Sequence, residues 1–148
     1  MRGERPIRSR AAWAVAAVAV ALAAAGIAGC RSGTDTGDPP VNLRGQWRYA
    51  AEQTAPTRSV LDGTLSIDNQ SGQRLDGSMT VIESSAIGSR ALSGFVNGRT
   101  PDATTIEFQV ELGGGARVHQ GRIRGDSIVG TWYDEFAGGG SGSFRCAR

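Results

Sequence analysis

The chain of 148 residues contains no lysine, a single histidine and two cysteines. Zinc centres need Cys and His clustered at set spacings, which so small a complement excludes. No Gly-x-Ser-x-Gly elbow occurs, and the Gly-rich runs precede strands rather than a helix, so neither a hydrolase elbow nor a phosphate loop is expected. From Leu43 onward the helical spacing of apolar residues is absent too. These gaps point away from an enzyme, and no cofactor or metal is expected. A strong excess of positive charge is also missing. The net charge of +2 rests on Arg2, Arg5, Arg8 and Arg10 near the start, with only Glu4 against them; Cys30–Arg148 balances twelve arginines against thirteen carboxylates, or −1. A near-neutral domain has no basic patch with which to neutralise phosphates, so nucleic acid is not an expected partner.

What is present begins with an export segment. The arginine-rich Met1–Arg10 is followed by Ala11–Ala28, eighteen uncharged residues dominated by Ala and Val. This is the charged start and apolar run of a secretory signal, too weakly hydrophobic to favour a permanent span. The run ends in Ile27-Ala28-Gly29-Cys30: an aliphatic residue, two small residues and a cysteine. The order resembles the lipobox of bacterial lipoproteins. That resemblance implies a signal peptide over residues 1–29, a thioether-linked diacylglycerol on Cys30, cleavage just before it, and an additional acyl chain such as palmitate on the freed amine. Two or more chains hold a protein at a membrane where one binds marginally. Arg31 follows the cysteine, so the Asp that retains some lipoproteins in the inner membrane is absent. The expected location is the cell envelope, at the periplasm or cell surface, with the outer membrane favoured in a cell that has two. Residues 30–42, rich in Ser, Gly, Thr and Asp with Pro39-Pro40, read as a lipidated flexible tether.

The domain at 43–148 reads as strands. Leu61-Asp62-Gly63-Thr64-Leu65-Ser66-Ile67 and Leu75-Asp76-Gly77-Ser78-Met79-Thr80-Val81 match type for type, and Thr104–Leu112 places Ile106, Phe108, Val110 and Leu112 on one face. Such alternation is that of half-buried antiparallel strands. Eight are expected: Arg44–Ala51, Val60–Asp68, Arg74–Glu83, Ala91–Asn97, Thr104–Leu112, Arg117–Arg124, Ser127–Phe136 and Gly142–Ala147. Short loops joining them in order predict an all-β, eight-stranded antiparallel up-and-down barrel, with a two-sheet β-sandwich as the alternative. A two-residue turn at Gly125-Asp126 sets Ile123 opposite Ile128, Gly121 opposite Gly130 and His119 opposite Trp132. A four-residue loop at Gly113–Ala116 then pairs Ile106 with Ile123, sets Phe108 over Gly121 and brings Val110 to His119. Recurrent inward glycines, such as Gly77 beside Leu65, allow tight curling.

Gly45-Gln46-Trp47 on the first strand, an antiparallel meander and an arginine in the last strand together resemble the lipocalin and avidin class of small barrels. The resemblance implies that Trp47 plugs one barrel end and that Arg145 packs across it by a cation–π contact. It carries over no ligand-contacting residues. His119 and Trp132 form the possible pocket, and Cys146 reads as a buried thiol. Arg117, Arg122 and Arg124 read as a solvated face. Asp134 and Glu135 near Trp132 and Tyr133 suggest a polar-aromatic mouth, although ordinary loop residues would look the same. Two functions remain: a lipid-anchored envelope lipoprotein whose barrel is structural or meets an envelope protein, and, as the alternative, a lipocalin-like module for a small apolar ligand. The medium-to-large inward residues favour a filled interior.

Overall fold

A computed structural model describes residues 41–148; the export segment, Cys30 and the tether up to residue 40 lie outside the described residues. Eight strands follow one another: β1 Gly45–Ala55, β2 Ser59–Ser71, β3 Arg74–Ser85, β4 Gly88–Asp102, β5 Thr105–Leu112, β6 Gly115–Arg124, β7 Ser127–Asp134 and β8 Ser141–Ala147. Each pairs antiparallel with the next, and β8 returns to pair with β1, closing a barrel. The sandwich alternative is therefore set aside. Closure leaves no sheet edge open along the barrel wall, which is what a chain of short consecutive hairpins gains by curling on itself.

The alternating residues divide inside from outside. Trp47, Tyr49 and Ala51 on β1 meet Leu65, Gly63 and Leu61 on β2, and the larger side chains among them are withdrawn from water. Ile106, Phe108, Val110 and Leu112 line the same interior from β5. Several strands outrun their expected limits because the turns are tighter than the polar residues suggested. β2 and β3 join through Gly72-Gln73 with Ser71 opposite Arg74, so Asn69 and Gln70 belong to the ladder rather than to a loop. β4 continues past Asn97 through Pro101, where its pairing with β5 shifts register between Arg99 and Asp102; the irregular step accommodates a residue with no N–H to donate. Conversely β7 stops at Asp134 rather than Phe136.

The Gly125-Asp126 hairpin has the expected register, with Ile123 opposite Ile128, Gly121 opposite Gly130 and His119 opposite Trp132. The preceding hairpin does not. Its loop is Gly113-Gly114 alone, so Ile106 pairs with Gly121, Phe108 with His119 and Val110 with Arg117. Both loop residues have positive φ, 65° and 94°, the requirement of the two-residue turn that matches strand twist and that two glycines meet without strain. The displacement from the expected pairing is two residues. An even slip preserves which side chains face inward, and so the interior set survives the error. Gly121 is covered by Phe144 rather than Phe108, its position lying 2.9 Å from the Phe144 ring for any added Cβ. Gly77 likewise pairs with Ile67, while Leu65 faces Met79.

Candidate functional site

The two ends of the barrel differ. At the end where β1 begins, Trp47 is 1% exposed and its indole Nε1 donates to the Leu43 carbonyl at 2.9 Å. Gln70 fastens the segment leading to β1: its Oε1 accepts from Leu43 N, and its Nε2 donates to the Val41 carbonyl, both at 2.9 Å. The cation over the Trp47 ring is Arg148, with its guanidinium carbon 4.1 Å from the centroid, and not Arg145. Arg145 lies between inward Phe144 and Cys146, so strand alternation turns it to solvent. Arg148 continues the inward parity, and its Nη2 donates to the carbonyls of Arg44, at 3.0 Å, and Asn42, at 3.3 Å. This end is closed by an indole with a cation across it.

In the middle of the barrel His119 is fully buried. Its Nε2 shares a 2.9 Å hydrogen bond with the Tyr49 hydroxyl, its ring stacks on Phe108 at 4.2 Å between centroids, and Phe144 meets it edge-on at 5.0 Å. Burial, with the Arg117 charge adding to it, depresses the imidazole pKa to about 3, so His119 is neutral. Burial likewise raises the Tyr49 hydroxyl well above the usual phenol range, so this pair holds a shared proton rather than a charge. Trp132 is 1% exposed beside them. Thus His119 lies opposite Trp132 as expected, but as core, with Phe108 rather than Val110 paired opposite it on β5 and the Tyr49 hydroxyl as its hydrogen-bond partner.

At the opposite end lies a mouth of about 480 Å³, rimmed by the loops after β1, β3 and β7 and including Gln53, Ser59, Glu83, Arg90 and Phe136. Its floor is an arginine that sequence reasoning placed on the solvated face. Arg117 is 5% exposed, forms a two-pronged ion pair with Asp134 (Nε to Oδ1 at 2.7 Å, Nη2 to Oδ2 at 3.1 Å), and lies 3.7 Å over the Trp132 ring. The signal was present in the strand pattern: Arg117 shares the odd, inward parity of His119, Gly121 and Ile123, whereas Arg122 and Arg124 are even and exposed. Asp134 is similarly inward, two residues beyond Trp132, and its Oδ2 accepts from Gly140 N at 2.8 Å, tying the β7–β8 loop to the ion pair. Glu135 turns outward to Gln109.

Among the described residues, three buried polar atoms along this interior have no hydrogen-bond partner: Arg117 Nη1, His119 Nδ1 and Trp132 Nε1. Buried donors without partners are costly and uncommon, and Arg117 Nη1 alone of the three belongs to a residue lining the mouth. A wider groove of about 1180 Å³ crosses the outer face beside Arg74, Asp76, Arg99 and Glu107. Its Arg99–Glu107 ion pair, at 2.7 Å, is already satisfied and partly solvated, so it makes a weaker candidate than the mouth. Among the described residues no group of three or more His, Cys, Asp or Glu is placed to hold a metal ion. Cys146 is a buried free thiol that burial pushes up to about 12.

No protein-family model matches the chain, and no curated protein is detectably similar to it. Among solved structures, the barrel is similar to EF1p2_mFAP2b bound to DFHBI, with TM-score 0.60 and 11% identity over 72% of this chain and 93% of that one. It is also similar to a redesigned β-barrel, mFAP1, bound to DFHBI (TM-score 0.56, 15% identity, 72% and 94% coverage), and to the redesigned barrel b11L5F_LGL (TM-score 0.55, 15% identity, 72% and 90%). At these identities the likeness is one of fold. The chain carries a small closed antiparallel β-barrel of eight strands.

Proposed function

We propose that this chain is an exported, lipid-anchored barrel of the cell envelope that binds a small ligand in its open mouth and has no catalytic role. The observation that carries the binding reading is Arg117, buried on the floor of the mouth with Nη1 unpartnered. A barrel packed only for stability gains nothing by burying a cation whose hydrogen bonds are incomplete, because leaving the group unmade costs more than the bond returns. That two barrels of similar fold are bound to DFHBI supports the architecture as a holder of small organic molecules. The anchoring part rests on the Ile27–Cys30 box behind the apolar run.

The filled middle of the barrel favours a second reading, a structural or interaction lipoprotein, because Tyr49, Phe108, His119 and Phe144 occupy the space that a deep ligand would need. Titration of the full-length chain with DFHBI, read by fluorescence, separates the two. Saturable binding that is lost when Ser85, on the inward face of β3 at the mouth, is changed to Trp supports the ligand site; an absence of saturation favours the structural reading. For the anchor, Cys30→Ala should leave the membrane fraction and lose the mass of the acyl chains. A variant that stays in the membrane fraction with residues 1–29 removed defeats the lipoprotein assignment.

A further inference from the structure

We propose that the tip of the β3–β4 hairpin is an interface through which two copies of this chain pair, β4 against β4, about a two-fold axis at Ala91. Closure of the wall stops short of this tip. β4 pairs with β3 from Gly88 onward, but its pairing with β5 begins only at Val96, because β5 turns back at Gly113-Gly114. Gly88–Ser93 therefore has a strand on one side and none on the other. The two-residue turn Ala86-Ile87 makes Ser85 and Gly88 a hydrogen-bonded pair, and from there bonded and non-bonded pairs alternate. Ser89, Ala91 and Ser93 thus aim their N–H and C=O groups away from β3. Among the described residues no loop backbone reaches them. The devices that usually blunt such an edge are missing: the β3–β4 register runs without a bulge, and these three residues are neither charged nor proline. Arg90, between them, is turned to the other face and held by Glu83 at 2.6 Å.

The occupant is a second copy because the edge is complementary to itself. A two-fold interface sets one patch against its own image, so its bonding groups must be symmetric about the axis. Those of Ser89, Ala91 and Ser93 are symmetric about Ala91: in an antiparallel pair Ala91 meets its own counterpart and Ser89 meets Ser93 of the other copy. Each such pair exchanges two hydrogen bonds, roughly six in all. The side chains agree with that register. Ile82 is paired with Ala91 within the hairpin, so Ile82, Ala91 and their two counterparts form an unbroken apolar row across the axis. Ile87 and Phe95 lie equally far from Ala91 on either side, so Ile87 of one copy comes level with Phe95 of the other. Ile87 is 99% exposed, Phe95 82% and Ile82 55%, the barest large apolar side chains among the described residues, and this one register gives all three apolar neighbours. The Gly113-Gly114 turn beside them bears no side chain to block the approach. Like charges do not meet either, since the outward positions from Ser78 to Ser84 and from Ser89 to Phe95 carry none. A patch of this extent suits a transient dimer rather than an obligate one.

Cysteine linking of the full-length chain in detergent tests the register, in a Cys30→Ala background that leaves only the buried Cys146. Ala91→Cys puts two thiols on the axis with their Cα atoms about 5.5 Å apart, within disulfide reach, and mild oxidation should give a covalent dimer. Ser89→Cys should not link to itself, its two copies lying at least about 13 Å apart, yet it should link to Ser93→Cys when the two variants are mixed. Sedimentation of the chain without added cysteines should show concentration-dependent dimerisation that Ala91→Lys weakens at least about tenfold, because it sets two ammonium groups face to face. Ala91 is exposed, so the fold tolerates the change, and Thr131→Lys on the outer face of β7 should leave association as it was. Ser89→Cys linking to itself as readily as Ala91→Cys overturns the register about Ala91. A chain that stays monomeric up to about 1 mM, or a dimer that Ala91→Lys leaves intact, overturns the interface.

Discussion

Acidification should destabilise this barrel through one residue. The folded-state pKa of His119, about 3, lies far below the ordinary 6.5, because burial and the nearby Arg117 both oppose a second positive charge. Between those two values the unfolded chain holds a proton on His119 that the folded chain cannot accept. The stability associated with the neutral ring is thus complete above pH 6.5 and is lost as pH falls toward 3. Each pH unit in that window is worth about 1.4 kcal/mol, so moving from pH 7 to pH 5 should cost about 2 kcal/mol. That is a large part of the 5–15 kcal/mol roughly typical of a domain. Urea unfolding of the segment Gly33–Arg148 at the two pH values reads it directly, with an expected midpoint shift of about 1 M. His119→Gln supplies the control: it keeps a hydrogen-bonding group near Tyr49 but has no proton to gain, and its stability should change little over this range. Equal midpoints at pH 5 and 7 in the wild type, or the same shift in the variant, would refute the reasoning.

Further outcomes follow from the two ends and the wall. Trp47→Ala empties the closed end and should cost about 3–5 kcal/mol in urea unfolding, and a loss below about 1 kcal/mol would remove the plug role. Arg148→Ala should cost about 0.5–1 kcal/mol by losing the contact over Trp47, whereas Arg145→Ala should fall within about 0.5 kcal/mol of wild type; the reverse order would restore Arg145 to the plug. Asp134→Ala leaves the Arg117 charge buried and unpaired and should lower stability by about 3–5 kcal/mol in thermal or urea melts. Cys146, buried and with its pKa up at about 12, should resist iodoacetamide at pH 8 until the chain is unfolded, as intact mass will report.

The strand pattern was legible because each wall residue has only two choices, in or out, and residues such as Ile106, Phe108 and Val110 have a clear preference. Register along the barrel was less so. Sliding β5 by two residues past β6 keeps every apolar residue inside, so hydrophobicity does not distinguish Gly113–Ala116 from Gly113-Gly114; the turn conformation does, and it depends on which residues take positive φ. The exchange of Arg145 for Arg148 had a related origin, since a family resemblance supplied a residue type in the last strand while alternation with Phe144 and Cys146 would have sent that position outward. Arg117 is harder to read because it sits close to Arg122 and Arg124 in the chain, and only its opposite parity sets it apart from them. Its partner Asp134 stands 17 residues away, and nothing in composition links the two. A buried ion pair is visible only once β6 and β7 lie side by side.

The seam between β1 and β8 has a consequence for how the barrel is made. Every other pairing joins neighbours across a short turn, while Tyr49 meets Cys146 across about a hundred residues of chain, a loop closed against substantial entropy. Until the seven residues of β8 are available, β1 and β7 each keep a bare edge able to pair with another chain. The last strand of the barrel in chain order is therefore the clasp, and removing β8 should act less like trimming an edge than like unbuckling the whole wall, leaving a sheet prone to self-association.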